Sequence, residues 1–214
     1  MSTRPRTRVV RHPERGSHER EAIDAILDEA LVCHLGWVGE DGGPVVIPTL
    51  HARVDDVVYV HGSAASRTLR ALGRALPVCL TVTLIDGIVL ARSIFNHSVN
   101  YRSVVVFGEA EAVEEESEKA RALEAFSDRL LPGRWADVRA PTAQELKATA
   151  ILRLPLDEAS AKVRSGPPED DEADYALPVW AGVIPLELAA GEPEPDPKLT
   201  FDVPAPRWSP RRRA

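Results

Sequence analysis

At 214 residues with 44% hydrophobic side chains, the chain suits one domain with a sizeable core plus tails. No apolar run approaches the roughly 20 residues that a bilayer span needs, and two cysteines, Cys33 and Cys79, are too few for a disulfide framework or a zinc site. The net charge of −7 divides into two basic ends and a body of 16 basic and 31 acidic residues, about −15, which repels nucleic acid.

The basic ends are expected to be solvated arms that dock on acidic surface, including that of a partner subunit. The opening MSTRPRTRVVRHPERG is not followed by an uninterrupted apolar stretch, so no secretory signal is read and a cytoplasmic location is expected. Ser17 stands as the N-cap of a first helix, with Glu19 and Glu21 in its first turn. Ala22, Ile23, Ile26, Leu27, Ala30 and Leu31 then follow the spacing of one buried helical face.

A β-rich block comes next. LVCHLGWV, PVVIPTLHARV and VVYVHG are separated by GEDGG and Asp55-Asp56, the pattern of a hairpin meander. Pro44 and Pro48 require the second of these strands to be at an edge, bulged or kinked. SAASRTLRALGRAL reads as a short helix with Leu69, Leu72 and Leu76 on one face. PVCLTVTLIDGIVLAR reads as two strands around Asp86-Gly87. The polar loop SIFNHSVN precedes the strand YRSVVVFGEAEAV, and Glu114 to Leu130 form an amphipathic helix with Ala122, Leu123, Phe126 and Leu130 inward. ATAILRLPL is a further strand, GPPEDDEADYALP an acidic loop and VWAGVIPLEL the last strand. The expected architecture is mainly β, an antiparallel barrel with peripheral helices over residues 1–190. A Pro/Arg-rich tail, 191–214, follows, disordered or extended across a neighbour.

The segment after the third strand carries the clearest chemistry. His61 ends the strand, Ser63 and Ser66 follow, and Arg67 stands in the first turn of a helix. Free amides at a helix start, two hydroxyls and a guanidinium make an anion site. An N-cap serine beside a surface arginine uses the same residues. His51 is either a cation near that phosphate or a half-exposed strand histidine, and His97 either lines the pocket or satisfies a turn. Trp37 and Trp135 read as core or interface aromatics, and the acid clusters Glu114–Glu118 and Glu169–Asp174 as solvated faces.

Four stretches in this order, RHPERG, IPTLHARVDDVVYVHGSAASR, DGIVLARSIFNHSVNYRSVVVFGEA and VWAGVIPL, resemble the FMN-binding split barrel. The likeness covers about residues 8–188 and points to the pyridoxamine 5'-phosphate oxidase-related proteins, in the branch of the nitroimidazole-resistance proteins. The resemblance implies FMN shared between two subunits of a homodimer. Pro48, Thr49, Leu50 and His51 would lie against the flavin ring and phosphate, and His61 and Gly62 would contact the cofactor. Ser66 and Arg67 would hold the phosphate, Tyr101, Arg102 and Ser103 would complete the site, and Trp180 would stand near the flavin at the subunit interface.

The oxidases place an arginine and a lysine where this chain has Pro48-Thr49-Leu50-His51, and end in an Arg-Leu-His motif where this chain runs into LELAAGEPEPDP. Oxidation of pyridoxamine phosphate itself is therefore not expected. The resulting expectation is an FMN-dependent oxidoreductase with a small-molecule substrate, no nucleic-acid or membrane partner and no dedicated metal site. Its rivals are a flavin-binding module without turnover and a haem-binding protein with His61 as axial ligand. Replacing Arg67→Ala is expected to weaken flavin binding by about 1–3 kcal/mol, read by flavin titration.

Overall fold

Alternation decides the architecture. Successive side chains of a strand point to opposite faces. The runs Val32–Val38 (β2), Pro44–Val54 (β3), Val57–Ser63 (β4), Arg74–Leu90 (β5), Ser98–Ala112 (β6) and Thr149–Pro155 (β7) each turn one apolar row inward. The computed structural model describes residues 5–66, 69 and 74–210. In it these strands join in the order β6–β7–β4–β3–β2–β5, and a long β5–β6 ladder returns to the start. The result is a closed antiparallel barrel. β1 (Gly16–Ser17) and β8 (Glu158–Arg164) extend the sheet beyond β6, and β9 (Gly182–Pro185) extends it beyond β5. This is the mainly-β, split-barrel class expected from the sequence.

Inside, Cys33, Leu35, Leu80, Val82, Val104, Val106, Leu152 and Leu154 form one core with Ile23, Ile26 and Leu27 of α1 (Arg20–Glu29). The helix plugs the barrel, and its acids fasten it there. Arg53 of β3 bonds both oxygens of Asp28, at 3.0 and 2.5 Å, and Arg20 bridges Asp24 to Asp56 in the β3–β4 turn. Arg102 of β6 grips Glu29 at the helix end and, at 2.7 and 2.9 Å, Asp86 of β5. A second cluster lies outside the barrel. There α2 (Glu116–Leu130) packs Ala122 and Phe126 on Ala52, Tyr59 and Ile151. The short helices α3 (Arg134–Asp137) and α4 (Ala143–Ala148), the latter opened by a Thr142–Glu145 capping box, lead to β7.

Pro44 and Pro48 sit as their chemistry requires. β3 pairs β2 through Pro44–Leu50 and β4 only through His51–Val54, so the proline-bearing half is bonded on one side. Several expectations need correction. Ser17 ends β1 and takes the Glu19 amide on its hydroxyl, so the helix starts at Arg20 without a side-chain cap. Leu76, assigned to a helix, lies in β5; Leu72 and Arg67 lie outside the described residues. Asp86-Gly87 is a bulge within one 17-residue strand, because β6 and β9 hold both of its edges there. β8 was not anticipated, its apolar positions being mostly alanines. Leu130 is exposed while Arg129 is buried, donating to the Ala30 carbonyl.

The acidic face at Glu114–Glu116 is exposed as expected, and the basic N-terminal arm docks on an acid, while parts of the acidic loop and of the tail are engaged. Arg6 pairs with Glu158 and lies 5.3 Å over the Phe107 ring of its own chain. Asp170 of the acidic loop accepts the Arg92 and Ser93 amides at 2.9 and 3.3 Å. In the tail, Trp208 and Pro210 fold back beside Glu29 and Leu188.

His51 is neither a cation nor half-exposed. It is fully buried, and Nε2 meets the Leu27 carbonyl at 2.9 Å. Burial holds its pKa down at about 4, against an ordinary 6.5. The unfolded chain binds a proton in this window that the folded chain refuses. His51 should therefore contribute a loss of stability on acidification of about 1.4 kcal/mol per pH unit, and His51→Gln should remove that share of the slope. Urea unfolding at pH 7 and 5 checks it. Arg102→Gln leaves Glu29 and Asp86 facing each other without their cation and should cost about 2 kcal/mol at pH 7 in the same assay.

Candidate functional site

A six-stranded barrel is filled by its own side chains, so a ligand must be met outside or at the rims. Directly paired residues share a face, and the register therefore maps the outer surface. Pro48 is opposite His34, His34 opposite Thr81, and Thr81 opposite Val105. Leu50 is opposite Val32, and Ile184, Ile88 and Val99 form one row across β9, β5 and β6. Val32, Val46, Ile85, Ile88, Val99 and Ile184 are all exposed. A solvated sheet face alternates to polar residues; an apolar strip of this kind marks a contact surface.

The expected site residues divide by this geometry. Pro48 and Leu50 face outward, whereas Thr49, opposite buried Cys33, and His51 face inward. His61 is outward, opposite Ile151. Its ring centroid lies 4.2 Å from that of Phe126, tilted by 52°. Its Nδ1 is enclosed and has no hydrogen-bond partner among the described residues, and burial lowers its pKa. Gly62 is inward, and a Cβ there would come 2.7 Å from a methyl of Leu69, which would have to shift.

At the corner that follows, the Ser66 amide donates to the Ser63 carbonyl at 2.9 Å. The Ser66 hydroxyl accepts the Leu69 amide at 3.4 Å, as an N-cap does. Arg67, the guanidinium of the anion site, lies outside the described residues.

Tyr101 and Ser103 face outward on β6, opposite Ile85 and Thr83. Arg102 faces inward between Glu29 and Asp86, whose hydrogen bonds raise its pKa further. With Pro185, Leu186 and Pro210 of the tail these three line a cavity of about 350 Å³. Trp180 is 64% exposed, its ring lying against Gly182. Three strand spacings, about 14 Å, separate Pro48 and Leu50 from the β6 positions of their rows. Within one chain the expected residues therefore form two groups, one at β3–β4 and one at β6–β9.

Sequence reading passed over His34, an exposed histidine between the two groups. Its signal was its parity: it lies two residues from Val32, between buried Cys33 and Leu35. His97 satisfies a turn, its Nδ1 accepting the Ala91 amide at 3.2 Å. Trp37 packs on the core.

The family profile described as pyridoxamine 5'-phosphate oxidase matches residues 19–163. The flavocytochrome Anf3 from Azotobacter vinelandii is similar at 46% identity, over 96% of this chain and 95% of that one, with a TM-score of 0.89. An FAD- and haem-binding protein from Mycobacterium smegmatis is similar at 39% identity, over 90% and 94%, with a TM-score of 0.85. A protein assigned to 5-nitroimidazole antibiotic resistance in Bacteroides thetaiotaomicron shares 23% identity over 69% and 86% with a TM-score of 0.58, a likeness of fold alone. The nitroimidazole-resistance branch is thus a distant neighbour. No match is found among the curated proteins. No helix among the described residues is long and apolar enough to cross a membrane.

Proposed function

The chain belongs to the pyridoxamine 5'-phosphate oxidase family, and from that membership we propose that it is a flavin-dependent oxidoreductase of the flavocytochrome kind, a homodimer carrying a flavin and a haem. The observation that carries this reading is the 46% identity to a flavocytochrome over nearly the whole of both chains. The flavin exchanges electrons or hydride with a small-molecule substrate, and the protein supplies binding, orientation and electrostatics.

The residues divide the work by position. Ser66, the corner amides and Arg67 hold the phosphate, while Pro48, Leu50 and His61 face the ring from the outer surface. Thr49, His51 and Gly62 turn inward and contribute backbone only. Tyr101, Ser103 and Trp180 belong to the other group, and reach the same ring from a second copy seated on the apolar strip. Arg102 is a clamp on α1, saturated by Glu29 and Asp86.

Between FMN and its adenylated form, the relative from M. smegmatis supports FAD; FMN remains the expectation from the sequence resemblance. The acidic body and a cytoplasmic location accord with a small soluble substrate rather than nucleic acid.

The purified full-length protein is expected to show flavin bands and a Soret band, to release FAD on denaturation, to be reduced at its flavin by NAD(P)H, and to have the mass of a dimer at micromolar concentration. Release of FMN decides the nucleotide the other way. Bound flavin that no reduced nicotinamide or dithionite-free donor reduces supports a carrier without turnover, and a monomer retaining flavin refutes the shared site.

A further inference from the structure

Ile94 and Phe95 are 91% and 92% exposed, more than any other large apolar side chain among the described residues. They form the tip of the β5–β6 connection, and that tip is fastened at its base. The Asn96 and His97 amides donate to the Ser93 and Ile94 carbonyls at 3.3 and 3.4 Å, and His97 Nδ1 accepts the Ala91 amide. The carboxylate of Asp170, whose side chain has no exposed surface, takes the Arg92 and Ser93 amides and the Arg92 guanidinium. The same guanidinium lies 4.8 Å over the Tyr175 ring. A turn clasped in this way, with two apolar side chains held out in water, is preorganised for a contact.

The surface around the tip has the make-up of an interface. Tyr175, Leu177, Val179 and Trp180 are exposed. They lead into β9, whose Gly182, Val183 and Ile184 pair with Leu90, Val89 and Ile88, so this patch runs into the outer apolar strip. Phe95, Tyr175 and Trp180 offer about 100–200 Å² each. With the aliphatic side chains, the patch approaches the ~800 Å² that one partner of a standard interface buries. Its rim is acidic, with Glu169, Asp171 and Glu172 exposed. An apolar centre inside a charged rim is the usual anatomy of a protein contact.

The same chain holds the complement. Leu69, Val113 and Ile151 wall a cleft of about 290 Å³ that carries Lys119 and Lys147 against one acid, Glu114. Neither lysine is in an ion pair with a described residue. The cleft adjoins the end of β4, since Ile151 and Thr149 pair with His61 and Ser63. Tip and cleft lie at opposite ends of β6, a strand of 15 residues rising about 3.3 Å per residue. No tip therefore reaches its own cleft, whereas a two-fold axis makes the contact twice.

We propose that the Ile94–Phe95 turn of each copy docks in the Lys119–Lys147 cleft of the other, with the acidic rim facing the lysines. This rests on the homodimer reading above, and it carries Tyr101 and Trp180 toward the His61 corner of the second copy. Sedimentation velocity of the full-length chain over a range of concentrations gives the dimer Kd. Ile94→Ser/Phe95→Ser is expected to raise it by roughly 30-fold or more, with circular dichroism unchanged because those side chains stand clear of their own fold. Lys119→Glu/Lys147→Glu and Glu169→Lys/Asp171→Lys should each weaken the dimer several-fold, and the two pairs combined should restore it. A dimer as tight as wild type without Ile94 and Phe95 overturns the proposal and assigns the turn to a different molecule. Charge reversals whose losses add instead of cancelling overturn the cleft as its seat. A wild-type chain that is monomeric at micromolar concentration overturns the homodimer reading beneath, and shows this before any substitution is made.

Discussion

The interior of this barrel is packed with apolar side chains from its own strands and α1, and the rest of the structure follows from that. Six strands closed through β5 and β6 leave room only for their inward side chains, and α1 stops the remaining opening with Ile23, Ile26 and Leu27. A plug helix is stable only if it is held in register with the wall it closes. Arg53 and Arg102 of the wall hold it through Asp28 and Glu29, and the helix's own Arg20 reaches Asp56 in the β3–β4 turn. Half-buried, multiply bonded pairs of this kind are worth more than isolated surface pairs.

With the interior occupied, chemistry is confined to the outer face and the rims. Part of that face is covered by α2, which shelters Tyr59 and Ile151 and stops at His61. The rest carries a continuous apolar strip across β9, β5 and β6. The period of two along β3 and β6 then sorts neighbouring residues into different roles. Pro48 and Leu50 meet whatever docks, while Thr49 and His51 serve the wall. Tyr101 and Ser103 look out, while Arg102 between them secures the helix. Adjacent letters in a strand motif are thus not adjacent in function.

The same logic explains what was legible beforehand. The helical stripe of Ile23, Ile26 and Leu27, the valine-rich meander and the helix ending at Leu130 follow from apolar spacing alone, which is local. The errors fall where a distant strand overrides a local signal. Asp86-Gly87 has turn chemistry, yet β6 and β9 pair across it and reduce it to a bulge. Leu76 completes a helical face on paper, but the β5–β6 ladder claims it. His51 has the polarity of a surface residue, and only the arrival of α1 makes the Leu27 carbonyl its partner inside the core. Arg129 is buried for a similar reason, its guanidinium reaching the carbonyl that ends the first helix.

Of the candidate site, the sequence by itself determined the residue types and their order: a strand ending in His61-Gly62, serines at 63 and 66 before Arg67, a tyrosine opening a later strand and a tryptophan before the last one. It also determined that the body is acidic and that no single apolar run is long. Only the tertiary structure decided which of the described side chains face outward, that they form two separated groups, that Arg102 is already occupied, and that His34 and His61 lie on the same outer surface. The reason is that facing and pairing are set by strand register and barrel closure. These depend on contacts between residues far apart in the chain, which no local pattern encodes.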